Sequence, residues 1–195
     1  MAYSVTSSND GCYPGTIVLI NKLGITDQST LDEVESVAVA LHSAEIESES
    51  PNDPFTFDFY CNLHKRLFGD LYEWAGELRS IDFSKKGTSF YPAAVLRELG
   101  KVKFERLAAM NEFQGMDRLQ LVDEITDLYH ELNMLHPFRE GNGRTQRLFF
   151  TLLFRRLGYN ISFADCDTDE LMMATIYAAQ GIKSYLHSFF EKIIK

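Results

Sequence analysis

Cysteine is scarce: Cys12, Cys61 and Cys166 are the only three in a chain of 195 residues. Odd in number and widely spaced, they exclude a disulfide framework and suggest a reducing compartment. Positive charge is also short. The 19 Lys and Arg face 28 Asp and Glu, a formal net charge of −9. That balance argues against direct nucleic-acid binding, because neutralising phosphates needs clustered cations. No apolar run approaches the ~20 residues of a membrane span, so no membrane partner is expected. Residues 1–10 lack the basic start and apolar core of a secretory signal. The expected location is the bacterial cytoplasm, with export into a host cell by some other signal left open.

Several catalytic signatures are missing too. No Gly-x-x-x-x-Gly-Lys-(Ser/Thr) phosphate loop occurs, and no Gly-x-Ser-x-Gly nucleophile elbow. His130-Glu131 is followed by His136 at six residues, not the four of a helical zinc site. His42, His64 and His187 stand alone and read as surface or satisfied packing residues.

What is present is a globular composition. Hydrophobic residues make up 45% of the chain, with five prolines, enough for a substantial core in one domain. Residues 1–12 read as a loose terminus and 13–195 as a single domain. After the Tyr13-Pro14-Gly15 turn, Ile17 to Leu23 reads as a short helix ended by Gly24. Leu31 to Glu47 reads as a helix capped by Ser29 or Thr30, with Leu31, Val34, Val37, Ala38 and Leu41 inward and an acidic outer face. Phe57 to Phe68 is a second amphipathic helix, with Phe59, Leu63, Leu67 and Phe68 inward. Leu71 to Gly76 is a short helical turn that packs Trp74 in the core. From Leu78 to Tyr91, two strand-like runs flank the polar tip Ser84-Lys85-Lys86-Gly87-Thr88. They form a β-hairpin, which is either a surface decoration or a flap presenting an open edge to another protein. Ala93 to Met110 is helical despite Gly100, with Leu96, Leu99 and Leu107 inward and Val95 and Val102 at the edge. Asp117 to Leu135 is a strong helix. Asp169 to Gln180 and Lys183 to Ile194 close the chain.

Between these lies His136-Pro137-Phe138-Arg139-Glu140-Gly141-Asn142-Gly143-Arg144-Thr145-Gln146-Arg147, running into an apolar helix that stops at Gly158. A helix apolar on nearly every side belongs at the centre of a fold. Its N-terminus offers unpaired N–H groups and partial positive charge, and the flanking glycines let a ligand approach the backbone closely. Arg144 and Arg147 share one face of the first turn, where the macrodipole disfavours cations. They call for a counter-charge, which a polyphosphate would supply. Glu140 adds a carboxylate suited to Mg²⁺ bridging phosphates, and His136 adds a group that can accept a proton near neutral pH. Each piece alone has a bland reading: a packed histidine, a turn, arginines paired with nearby carboxylates. Their conjunction within twelve residues points to chemistry.

These twelve residues resemble the signature of the Fic (filamentation induced by cAMP) family, His-x-Phe-x-(Asp/Glu)-Gly-Asn-Gly-Arg-x-x-Arg, at every fixed position. Tyr13-Pro14-Gly15-Thr16 with Asn21-Lys22-Leu23-Gly24-Ile25 is similar to the start of bacterial Fic toxins. Phe68-Gly69-Asp70-Leu71-Tyr72-Glu73-Trp74-Ala75-Gly76-Glu77-Leu78-Arg79 is similar to the segment before the family's flap. The resemblance implies an all-α fold, a Fic-type helical bundle with one small β-hairpin flap, and transfer of AMP from ATP to a hydroxyl side chain of a target protein. By resemblance, His136 is the base and Glu140 holds Mg²⁺. Gly141, Asn142 and Gly143 form the anion nest. Arg144 holds the inner phosphates and Arg147 the terminal one. The hairpin, through Ile81, Lys85, Lys86, Gly87 and Phe90, docks the target. Gly143 stands where the related Doc toxins carry a Lys and transfer the terminal phosphate instead. The resemblance to short Fic toxins implies two protein partners: a type II topoisomerase ATPase subunit, modified on tyrosine, and a small inhibitory antitoxin carrying a (Ser/Thr)-x-x-x-Glu-(Gly/Asn) helix. Ser43-x-x-x-Glu47-Ser48 comes close to that inhibitory motif, but lies on a helix assigned to the core. The rival readings are an effector domain modifying host GTPases and a catalytically silent nucleotide-binding adaptor.

Overall fold

A computed structural model describes residues 11–49, 53–82, 84–85 and 88–195. Seven helices make up most of it: α1 (Gln28–Ser48), α2 (Phe57–Phe68), α3 (Leu96–Ala109), α4 (Arg118–Leu135), α5 (Asn142–Arg156), α6 (Thr168–Ala179) and α7 (Ser184–Ile193). Four of them start on a side-chain oxygen that accepts from an otherwise unpaired backbone N–H. Asp27 accepts from Thr30, Thr56 from Phe59, Asp117 from Gln120, and Asp167 from both Asp169 and Glu170. The cap of α1 is thus Asp27, not the expected Ser29 or Thr30.

The middle of the bundle is α5, flanked by α2 and α4. Its side chains from Leu148 to Phe154 are all buried. Phe149 meets the rings of Phe55, Tyr60, Phe104 and Phe150 at centroid distances of 5.2 to 5.5 Å. Outside that core, α3 packs on α2 and α4, and α7 packs on α4 and α6. Gly100, which weakens the sequence case for α3, is required by this packing. A Cβ there would sit 2.5 Å from the Phe57 ring. Between α3 and α4, Asn111, Glu112 and Phe113 all take positive φ. The Glu112 carboxylate holds that turn in place, accepting from the Phe55 N–H at 2.9 Å and from Arg156 at 2.6 Å.

Several expectations are corrected. Residues 17–23 form no helix. Asn21 takes the backbone groups a helix would need, bonding Leu19 O, Ile25 O and the Ile25 N–H. Ile17, Ile20 and Leu23 are left exposed. On α1 the inward positions are Leu31, Glu35, Val39 and Ile46, while Val37 and Leu41 face outward at 62% and 66% exposure. On α2 it is Phe57, Tyr60 and His64 that join Leu63, Leu67 and Phe68 in the core, and Phe59 is only partly buried. Residues 71–76 form turns, not a helix, and Trp74 is half-buried with its ring stacked on Tyr72 at 4.5 Å. On α3 it is Phe104 that joins Leu96 and Leu107 inside, with Leu99 partly buried and Val95 and Val102 exposed. The hairpin forms, but its paired strands are only two residues each, β1 (Ser84–Lys85) and β2 (Thr88–Ser89), antiparallel with Ser84 opposite Ser89.

Candidate active site

The site begins where α4 ends. His136 takes a left-handed conformation, φ 41° and ψ 59°, and its N–H closes the helix on Leu132 O. Pro137 cannot continue the helix, and Phe138 drops into the core with no exposure. The chain then turns back into α5 through Gly141 at φ 78°. That glycine is required twice over. Its backbone is in the left-handed region, and a Cβ would sit 2.4 Å from the Phe68 ring.

Three braces fix this loop. The buried Asn142 side chain accepts from the Phe138 N–H and donates to Phe138 O, both at 2.8 Å. His64 on α2 lies flat against Phe138, ring centroids 3.9 Å apart. Its Nδ1 accepts from the Gly76 N–H at 2.8 Å, so the proton is on Nε2, which donates to Glu140 O at 2.9 Å. Burial keeps this imidazole neutral, pulling its pKa down to about 4. Thr145 donates its hydroxyl to Gly141 O at 3.1 Å. The first backbone bond of α5 runs from the Thr145 N–H to the same oxygen. The N–H groups of Asn142, Gly143 and Arg144 therefore precede any intrahelical partner.

Charge is distributed unequally over the two arginines. Arg144 already has a protein counter-ion: Glu35 of α1 at 2.6 Å, with Glu140 further off at 3.8 Å. The Tyr72 hydroxyl donates to the same Glu35 carboxylate, and burial with that bond raises the Tyr72 pKa. Arg144 also lies over the Phe68 ring, 4.8 Å from its centroid. The expectation that both cations wait for a ligand's charge is thus corrected for Arg144. For Arg147 no ion pair is found among the described residues.

These groups open on a cleft of about 450 Å³, within the usual range for small-molecule sites. Its floor is His136, Glu140, Gly141, Gly143, Arg144 and Arg147. Thr88 and Phe90 of the flap close one side, and Tyr129 and Asn133 of α4 another. The first turns of α6 supply the far wall through Thr168, Met172, Thr175 and Ile176. Phe90 covers His136 directly, the two rings parallel at 3.9 Å and 8°.

The cleft thus gathers His136, Glu140, Gly141, Gly143, Arg144 and Arg147. Two fixed signature residues stay out of it: Phe138 is buried in the core, and the Asn142 side chain braces the loop, so that only its backbone can serve an anion. Of the flap residues, Phe90 belongs to the cleft and Ile81 lies at the flap's root, while Lys85 is described through its backbone alone. Lys86 and Gly87 lie outside the described residues. Sequence reading missed Glu35, His64, Tyr72 and the wall from α6. Tyr72 sits in the segment quoted before the flap, a signal that was available.

Magnesium can be tested against this geometry. Among the described residues no three His, Cys, Asp or Glu side chains converge as metal ligands. The Glu140 carboxylate accepts from the Gly141 N–H at 2.9 Å, which orients it at the helix mouth. A single oriented carboxylate fits Mg²⁺, which takes its other ligands from phosphates and water. It does not fit an ion held by protein alone.

Fold and cleft together define a class: a helical bundle whose central helix presents its N-terminus, two arginines and a histidine under a short hairpin. The Fic/DOC family model matches residues 54–154, and the chain belongs to that family. The protein adenylyltransferase VbhT of Bartonella schoenbuchensis is 37% identical over 168 residues, 86% of this chain and 35% of VbhT. The probable protein adenylyltransferase y4lH of Sinorhizobium fredii is 36% identical over 172 residues, 87% of this chain and 88% of y4lH. BepC of Bartonella tribocorum, a VirB-translocated effector solved with bound AMPPNP, matches with a TM-score of 0.87 at 27% identity. That match covers 95% of this chain and 96% of the BepC chain. The chain spans about a third of the length of VbhT and most of y4lH.

Proposed function

We propose that the chain is a protein adenylyltransferase domain that moves AMP from ATP to a hydroxyl side chain, a tyrosine, of a target protein. The carrying observation is the cleft itself: His136 lines the same space as the first turn of α5 and Arg147, for which no ion pair is found among the described residues. The target oxygen forms a bond to the α-phosphorus, the bond from that phosphorus to the bridging oxygen breaks, and pyrophosphate leaves. His136 takes the hydroxyl proton on its imidazole. A positioned base of this kind contributes about 10²–10⁴-fold. The backbone N–H groups of Asn142, Gly143 and Arg144 hold the phosphates at the positive end of α5. Arg144 contacts the inner phosphates and Arg147 the terminal one, and Glu140 holds Mg²⁺, which would neutralise phosphate charge. The nucleotide bound in BepC supports an ATP-shaped ligand for this cleft.

Gly143 favours AMP transfer over phosphate transfer. A Cβ there would lie 3.4 Å from Arg147 Nη1, so a side chain at this position would border the arginine proposed to receive the terminal phosphate. The flap, through Ile81, the segment around Lys85, Lys86 and Gly87, and Phe90, docks the target. The proposed target is the ATPase subunit of a type II topoisomerase, and the proposed regulator is an antitoxin acting in trans. Glu47 supports the latter: it pairs with Arg155 at the far end of α5, at 3.3 Å, not with Arg147. A second reading, an effector domain acting on host GTPases, is favoured by the likeness to a translocated effector.

Incubation with Mg²⁺, bacterial lysate and ATP labelled on the α-phosphate tests the proposal. The label is expected on a protein band of the wild type and absent with His136→Ala. Transfer of a γ-phosphate label instead would overturn it. A band found only in eukaryotic lysate would favour the effector reading, and no band in either would favour the silent adaptor.

A further inference from the structure

We propose that Arg79 is a positioning residue that ties both roots of the flap to the His136 loop, so that target-docking edge and base move as one unit. The inference builds on the reading of His136 as the base, but half of its test does not. The Arg79 side chain has no exposed surface. Its Nε–H donates to His136 O at 2.8 Å. One terminal nitrogen donates to Ile81 O at 2.7 Å and the other to Tyr91 O. The second also lies 3.5 Å from Leu135 O. The backbone N–H of Arg79 donates to Pro137 O at 2.8 Å. Three successive carbonyls, starting with the last residue of α4, and both ends of the flap thus converge on one residue.

The chemistry of those acceptors explains why the residue is an arginine. The last carbonyls of a helix have no intrahelical donor, and the negative end of the helix favours a cation. His136 sits in a left-handed conformation that a non-glycine residue keeps only when its surroundings hold it there. The planar guanidinium fork can serve acceptors on several sides at once, which a lysine ammonium on a flexible stem cannot. The ion contact to Asp82 is long, 3.9 Å, and the same Asp82 oxygen accepts from the Ala93 N–H at 2.6 Å. Among the described contacts, carbonyl dipoles are therefore the nearest partners of the charge. A second link runs in parallel: Tyr91, whose N–H donates to Met134 O at 3.1 Å, follows Phe90, whose ring lies on His136. Ring on ring and guanidinium on backbone leave the base little freedom that the flap does not share.

The test compares the whole chain with Arg79→Lys and Arg79→Gln. Amide hydrogen exchange, which needs no activity, is expected to quicken at least tenfold in both residues 80–91 and 135–140, with α5 and α7 unchanged. With labelled ATP, Mg²⁺ and bacterial lysate, the labelling rate at saturating ATP is expected to fall about a hundredfold while ATP affinity stays within twofold. Faster exchange in the flap alone, or a rate that falls only in step with ATP affinity, would overturn the proposal. If neither variant folds, native-state exchange of the wild type decides. The Arg79, Tyr91 and His136 amides should open with one free energy and one urea dependence, and separate openings would overturn the coupling. Should the wild type label nothing, the AMP-transfer reading fails and the exchange result still stands for Arg79.

Discussion

Arg144 reaches the cleft already held by a carboxylate, and this sets its relation to a nucleotide. Glu35 occupies a core position on α1, has little exposure, and is itself fixed by Tyr72. A phosphate approaching Arg144 must share the guanidinium with Glu35, so ground-state attraction is blunted while geometry is preserved. Removing that charge should strengthen binding of substrate and transition state alike, which lowers KM without raising kcat. For Glu35→Gln we expect KM for ATP to fall severalfold with kcat changed less than about threefold. Urea unfolding should show a loss of about 1–3 kcal/mol, because a partly buried cation loses its strong partner. An unchanged KM would mean that Arg144 does not meet the phosphates. The signature around these residues was legible because it is contiguous. Glu35 was not, because its partners Tyr72 and Arg144 are 37 and 109 positions away, and a glutamate on a helix reads as a solvent face.

At the scale of elements, α2 and the turn after it act on the site through one imidazole. His64 links Gly76 to Glu140, and accepting from the Gly76 N–H on Nδ1 requires the neutral ring. Its pKa is about 4 when folded against an ordinary 6.5. The unfolded chain therefore binds the proton more readily between those values. The stability this contributes is complete above pH 6.5 and is lost as pH falls towards 4. At about 1.4 kcal/mol per pKa unit the contribution is roughly 3 kcal/mol. Burial is the main cause; the Glu140 backbone carbonyl favours protonation through its hydrogen bond, and the Arg144 charge disfavours it. Urea midpoints measured from pH 7.5 to 4 should fall less steeply for His64→Gln than for the wild type. Equal slopes would show that the ring is not held neutral. The helices α2 and α4 were legible because period, caps and length agree, and α5 because its apolar run is unbroken up to Gly158. Residues 17–23 misled because Asn21 competes for the backbone with its side chain. On α1, Val37 and Leu41 misled because the helix spends an inward position on Glu35, shifting the stripe that apolar spacing suggests.

At the scale of the molecule, one aromatic network joins the core to the chemistry. Phe149 at the middle of α5 meets Tyr60. Tyr60 stacks on Phe138 of the signature loop at 5.7 Å, and Phe138 stacks on His64. From the other side of α5, Phe150 meets Tyr129 of α4 at 4.8 Å, and Tyr129 meets Phe190 of α7 at 5.1 Å. A loop braced this way shares its packing with the core of the bundle. Truncation of a buried Phe costs about 3–5 kcal/mol, a large share of the 5–15 kcal/mol that typically separates folded from unfolded chains. For Phe149→Ala we expect the urea midpoint to drop with the slope unchanged. Trp74, whose ring lies 5.9 Å from His64, reports the site by fluorescence, and far-UV circular dichroism reports the helices. The two transitions should coincide in the wild type and move together in the variant, because the loop's packing and the bundle's packing are the same set of rings. Loss of Trp74 signal at lower urea than loss of helix would show instead that the loop is a separate cooperative unit. Its geometry would then depend on the local braces of His64, Asn142 and Arg79, without support from the core beneath.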